Sequence, residues 1–239
     1  MVLFVVLIVV GLILLYLFRH QLIRLLERPV MQLFHYFYYR DSEKTWGVTK
    51  YMGVPIQKLP LDLWRNHEVL WETRPDLIIE TGTNRGGSAL FFAHQFELMG
   101  KGRIVTVDIF RQPEVPEHPR ITYITGSSTA PEIVAEVTRH MRPNEKTMVI
   151  LDSDHSQDHV RRELELYAPL VSPGCYLVVE DTNVNGHPVS RSHGPGPMEA
   201  LDDFLATKAA ADFKIDSELE EKYKVSFNPR GWLKRAGVS

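Results

Sequence analysis

An open α/β sheet, Rossmann-like in pattern, mostly parallel, seven-stranded and closed by a C-terminal antiparallel hairpin, is the fold this sequence predicts. Three observations predict it. Short β-branched runs alternate with amphipathic helical stretches from Asp76 onward, which is the pattern of a parallel sheet covered by helices. A glycine-rich turn follows the first run and opens directly into a helix. Two runs near the C-terminus are too close together for a crossover helix, so they should pair antiparallel.

The first element is apolar. Val2 to Phe18 carries no charge, and at about 1.5 Å per helical residue it nearly crosses a hydrocarbon core of roughly 30 Å. A single transmembrane helix over residues 1–20 is expected. A cleaved signal peptide is the rival, but no Lys or Arg precedes the run and Arg19-His20-Gln21 follows where small residues would mark cleavage. Arg19, Arg24, Arg28 and Arg40 then place the bulk of the chain on the cytoplasmic side of the membrane. Residues 22–40 mix aromatic, apolar and basic side chains at helical spacing, which suits either an interfacial helix or one packed on the following domain. Residues 21–75 read as a juxtamembrane linker and 76–239 as the main domain.

Within that domain the expected strands are LIIET ending near residue 82, Arg103 to Asp108, Ile121 to Ile124, Thr147 to Leu151 and Cys175 to Glu180. Helical periodicity covers Ser88 to Met99, Pro131 to Met141, Gln157 to Leu170 and Pro197 to Ala210. The closing hairpin is expected to pair Phe213–Asp216 with Tyr223–Asn228. A parallel sheet ended this way favours methyltransferases over dehydrogenases.

Composition bounds the chemistry. The 239 residues are 44% hydrophobic and 24% charged, ordinary for one globular domain with an appendage. A net charge of -3 leaves no excess of Lys and Arg to displace counterions from phosphates, so nucleic acid is not an expected partner. The lone Cys175 excludes an intrachain disulfide and falls in an apolar run, where a small buried core residue is expected.

Chemistry-bearing residues gather at strand ends. Glu80, Gly82, Thr83, Gly86 and Ser88 form the turn after the first strand, where glycines let backbone approach a ligand and the helix N-terminus adds donors. Three residues separate Gly82 from Gly86, which is not the G-x-G-x-x-G spacing of a pyrophosphate cradle. Asp108, about 20 residues on, stands where a carboxylate accepts ribose hydroxyls. Gly126-Ser127-Ser128 follows the third strand and reads as an adenine-side loop or a plain turn. Asp152 and Asp154 leave the fourth strand, and Glu180 and Asp181 the fifth. Hard oxygen donors of this kind suit Mg²⁺. His155 and His159 stand one helical turn apart, as a zinc pair would, but lack the adjacent Glu and a third ligand.

Taken in order, residues 78–89, 151–156, 163–164, 176–182 and 194–200 resemble the cephalosporin hydroxylase and rhamnosyl O-methyltransferase group of class I methyltransferases. The resemblance covers the chain from Thr45 to the C-terminus. It implies S-adenosylmethionine and a divalent metal as cofactors, with Glu180 and Asp181 as the metal-binding pair and Asp152 or Asp154 completing the set. It matches Glu80, Gly82, Gly86 and Asp108 to the methyl-donor site, and Asp152 borders both cofactors.

The reaction then expected is metal-assisted O-methylation of a sugar, glycolipid or other small-molecule hydroxyl. The metal lowers the pKa of a coordinated hydroxyl and His155 accepts its proton. Residues 182–197 are rich in Gly, Pro and Asn and read as a substrate lid or a passive connector. A nucleotide-dependent oxidoreductase and an inert membrane-anchored binding module are the alternatives, and a homo-oligomer is left open.

Overall fold

The computed structural model describes residues 2–237. Helix α1 (Val2–Arg40) leads to a short hairpin of β1 (Lys50–Tyr51) and β2 (Val54–Pro55), then α2 (Pro60–Thr73). The αβ alternation follows: β3 (Leu77–Thr81), α3 (Gly87–Met99), β4 (Arg103–Asp108), β5 (Ile121–Thr125), α4 (Pro131–Arg139), β6 (Thr147–Leu151), α5 (Gln157–Tyr167) and β7 (Tyr176–Val179). The chain ends with α6 (Pro197–Leu205), β8 (Phe213–Ile215), α7 (Ser217–Tyr223) and β9 (Trp232–Arg235).

Among the described residues the main sheet has seven strands in the order β5-β4-β3-β6-β7-β9-β8. β9 runs antiparallel to both neighbours, and the pairings from β5 to β7 are parallel. Strand period two sends alternate residues to opposite faces. Leu77 and Ile79 join a core with α4, α5 and α6, while Ile78 joins one with α2 and α3. Both faces are therefore covered, which explains why β3 and β6 read as apolar runs with every residue buried. Cys175 is buried beside β7 as expected. Since β4 and β6 flank β3 on opposite sides, the strand order reverses there and leaves a crevice at the strands' carboxyl ends.

Two expectations are corrected. The closing hairpin does not use Tyr223–Asn228: β8 pairs with β9, and α7 lies between them. The backbone of 225–227 is spoken for elsewhere, because Arg65 Nη1 donates to the Val225 carbonyl at 2.9 Å and Phe227 N–H donates to Asp62 Oδ2 at 2.8 Å. Asp62 and Arg65 also pair with each other, fully buried, so α2 holds this segment as a loop. The carboxylate of Asp216 caps α7 by accepting the Leu219 N–H at 3.0 Å, which starts a helix where an extended turn was expected.

The second correction concerns the N-terminus. No single helix among the described residues is long and apolar enough to cross a membrane. The apolar run stops at Phe18, and the segments Leu7–Gln21 and Ile23–Arg40 are bent by 66°; only as a bent pair do they meet the length and composition of a span. The end of α1 packs on the domain: His35 is buried and stacks on Phe227 with ring centroids 5.4 Å apart, and Met31, Tyr38 and Tyr39 pack around Leu59, Val225 and Phe227.

Candidate active site

The crevice holds a cavity of about 690 Å³, lined on one side by Gly82 to Arg85, Ser88, Asp108 and Ser127, and on another by Asp152, His155 and Asp181. β3 delivers the glycine turn. Gly82 has φ of +87°, and a Cβ there would run into the Asp152 carbonyl, so only glycine lets the β3 and β6 ends come this close. Gly86 has φ of +77° and caps α3, bringing Ser88 to the cavity in the helix's first turn. Asp108 ends β4, where its carboxylate accepts the Asn84 N–H at 2.8 Å.

Glu80 and Thr83 stand differently. Glu80 is fully buried behind the turn and is not part of the cavity wall. Its Oε2 accepts from Thr106 Oγ1 at 2.7 Å, and Thr106 meets Thr83 Oγ1 at 2.7 Å. Burial raises the Glu80 carboxyl to about 7 against the opposing pull of Lys58. Glu80 therefore braces the turn from beneath, while Thr83 reaches the cavity.

The acids at β6 and β7 divide into two groups. Asp152, Asp181 and His155 offer ligand atoms that all lie within 4.8 Å of one another. His155 Nε2 is 3.4 Å from both Asp152 Oδ1 and Asp181 Oδ2. Asp154 also lines the cavity but stands outside this cluster, exposed, and accepts the Ser156 N–H at 2.8 Å. The alternative between Asp152 and Asp154 is thus resolved in placement: Asp152 stands in the cluster. Glu180 is buried next to it but turned to Lys58, whose Nζ lies 2.7 Å from Asp152 Oδ2 and 2.9 Å from Glu180 Oε1. Asp181 takes a left-handed backbone, φ +54°, and its N–H donates to Asn228 Oδ1 at 2.9 Å, which aims its carboxylate away from its neighbour's.

Electrostatics follow from crowding. Burial raises Glu180 to about 8, opposed by Lys58, and raises Asp181, opposed by His155. For Lys58 burial pulls downward, yet Asp152, Glu180 and Glu80 outweigh it and hold the ammonium well above its ordinary value. His155 is likewise lowered by burial but raised further by Asp152 and Asp181, to about 9. Its Nε2 is buried without a hydrogen-bond partner. The two facing carboxylates of Asp152 and Asp181, with Glu180 buried beside them, make an oxygen donor set that fits a hard divalent cation, and His155 stands next to it. His159 does not join it: its Nε2 meets Ser128 Oγ at 3.0 Å and Glu163 at 3.5 Å, so the zinc pair is not formed.

Residues 182–197 do not line this cavity. Glu199 ties them down: its carboxylate accepts from Asn185 at 2.8 Å and the Gly196 N–H at 2.7 Å, and meets His187 Nε2 at 3.0 Å. Of the two readings of this segment, lid or passive connector, a loop pinned this way fits the connector. Sequence reasoning missed Lys58, Tyr39 and Trp46, all at or beside the cavity. Lys58 left one signal, a lone charge in the otherwise uncharged stretch 52–61 that leads into α2.

A mostly parallel sheet with one inserted antiparallel strand, a glycine turn at the strand-order reversal and acids on the next two strands define a Rossmann-like class I methyltransferase. The model of the Rhamnosyl O-methyltransferase/CmcI family matches residues 43–236, and the chain belongs to that family. It is an S-adenosylmethionine-dependent O-methyltransferase. A rhamnosyl O-methyltransferase of Mycobacterium tuberculosis is 40% identical over 222 residues, 89% of each chain. One from Mycobacterium leprae is 38% identical over 212 residues, covering 86% of this chain and 90% of the relative. Among solved structures, apo CmcI superposes with a TM-score of 0.60 at 22% identity, covering 80% of this chain and 77% of that one. CmcI with Mg and SAM gives 0.59 at 21% identity, covering 79% and 77%; these two similarities concern the fold.

Proposed function

We propose that this protein methylates a hydroxyl of a deoxyhexosyl unit carried on a glycolipid, using S-adenosylmethionine and a divalent cation such as Mg²⁺. The observation that carries the reading is the Asp152, His155 and Asp181 cluster facing the glycine turn across one cavity. The curated relatives named rhamnosyl O-methyltransferase support the sugar.

The methyl donor binds against Gly82, Thr83 and Ser88, with Gly86 shaping the turn from outside the cavity, Asp108 accepting ribose hydroxyls and Ser127 beside the adenine. Asp152 and Asp181 hold the cation, with Glu180 behind them on Lys58. When bound, the cation lowers the pKa of the acceptor hydroxyl and orients it. With the cation neutralising Asp152 and Asp181, which otherwise hold the His155 proton, His155 would be free to accept that proton, and the deprotonated oxygen would take the methyl group. A C–O bond forms as the C–S bond breaks, and S-adenosylhomocysteine leaves.

The exposed apolar side chains of α1, among them Phe4, Leu7, Ile13, Tyr16 and Phe18, support contact of this helix with a lipid surface that carries the acceptor. The test incubates the full chain with methyl-labelled S-adenosylmethionine, MgCl₂ and either p-nitrophenyl α-L-rhamnopyranoside or a rhamnosyl glycolipid. Label should enter the sugar and stop with chelator. Label in neither glycoside, from protein that still binds S-adenosylhomocysteine, would refute the sugar.

A further inference from the structure

The geometry points to Tyr39 and Trp46 as the acceptor subsite: an aromatic corner that takes the C–H face of a pyranose ring while its hydroxyls turn toward Asp181. This inference rests on the sugar reading above and adds where the sugar sits.

Both residues line the cavity, and both are only half-buried. Their rings stack with centroids 5.1 Å apart at 28°, and Trp46 Nε1 donates to the Tyr39 carbonyl at 3.0 Å. Each also meets Phe227 edge-on, at 5.3 Å and 71° for Tyr39 and 5.8 Å and 89° for Trp46. Phe227 is itself held by Asp62, and the next residue, Asn228, accepts the Asp181 N–H. The aromatic pair is therefore fixed relative to the cluster from behind, a preorganised surface that costs little ordering on binding.

Contacts tie this corner to the acids of the cluster. The glycine turn, Asp108 and Ser127 form the donor side. Trp46 packs by Leu59, the neighbour of Lys58, which pairs with Asp152 and Glu180. Burial and the charge of Asp181 both raise the Tyr39 phenol, so that hydroxyl lies within the field of the cluster. An aromatic body beside acids suits a ring with one apolar face and hydroxyls at its edge, and a 6-deoxy sugar adds a methyl to the apolar side. Tyr39 belongs to the last turn of α1, so the subsite lies where the exposed apolar helix meets the domain. A lipid-linked sugar would reach it from that side.

The test measures binding of p-nitrophenyl α-L-rhamnopyranoside to the full chain with S-adenosylhomocysteine and Mg²⁺ present, by saturation-transfer NMR and calorimetry. Trp46→Ala and Tyr39→Ala should each weaken the glycoside tenfold or more and leave S-adenosylhomocysteine affinity within twofold. Trp46→Phe, which keeps a ring, should retain glycoside affinity within about threefold. Equal glycoside binding by wild type and Trp46→Ala would overturn the subsite while leaving the sugar reading intact. An equal loss of S-adenosylhomocysteine would overturn it by assigning Trp46 to the donor. Failure of the wild type to bind the glycoside while it binds S-adenosylhomocysteine would overturn the sugar reading, and the subsite with it.

Discussion

Lys58 Nζ sits 2.7 Å from Asp152 Oδ2, so a buried lysine from the segment before α2 is bonded to a carboxylate at the end of β6, 94 residues later in the chain. The same ammonium reaches Glu180 at 2.9 Å. Removing one partner of a buried ion pair leaves an uncompensated charge and costs about 3–5 kcal/mol. Lys58→Met should therefore lower the stability of the metal-free protein by about that amount. Because a bound cation neutralises the same acids, Mg²⁺ should recover more stability in the variant than in wild type. Thermal melts with Mg²⁺ and with chelator check this; equal Mg²⁺ shifts in both proteins would count against Lys58 as the counter-charge.

The cluster distinguishes two aspartates that sequence could not. Asp152→Asn and Asp181→Asn should abolish the Mg²⁺-dependent shift in melting temperature and reduce methyl transfer by about a hundredfold or more, as expected for a lost group that orients the reacting hydroxyl. Asp154→Asn, at the cavity wall but outside the cluster and bonded to the Ser156 turn, should keep both within about threefold. Metal titration followed by calorimetry reads the difference. A silent Asp152→Asn would move the site elsewhere.

The glycine turn makes a third prediction. Gly82→Ala places a methyl against the Asp152 carbonyl and strains a φ of +87°, so the ends of β3 and β6 must separate. Affinity for S-adenosylhomocysteine should fall more than tenfold, and stability by about 1–3 kcal/mol. Gly100→Ala, with φ of +70° but open space around it, supplies the control: strain without collision. Unchanged donor affinity in Gly82→Ala would show that the close approach is not needed for binding.

Much of this was legible because local patterns and tertiary demands agree. The β-branched runs at 77–81, 103–108 and 147–151 became strands because both faces of the sheet are buried, and Gly82 and Gly86 took the positive φ that their place in the turn implied. The misreadings arose where distant groups decide. Tyr223–Asn228 alternates like a strand, but Asp62 and Arg65 bind its backbone from a helix some 160 residues earlier in the chain. Tyr39 carries no local mark of function and Lys58 only its isolated charge, since folding alone brings them to the carboxylates of β6 and β7. Glu180 kept its place but faces Lys58 within the carboxylate group, an orientation no spacing encodes.

The loop after β7 yields a pH test. Burial would raise the Glu199 carboxyl, but the Gly196 N–H, His187 and Asn185 outweigh it and hold it near 2, against an ordinary 4.5. A depressed carboxyl contributes stability that is fully present above about 4.5 and is lost as pH falls toward 2. With the side chain 28% exposed, water screens part of the effect, and about 2 kcal/mol is the expected contribution. Glu199→Gln should melt roughly 5 °C below wild type at pH 7, a gap that stays constant down to about pH 5 and closes as the pH approaches 2. Hydrogen exchange should place the loosening in residues 183–196, because these are the groups that Glu199 holds. A gap that persisted unchanged at pH 2.5 would mean that the carboxylate charge is not what pins the loop.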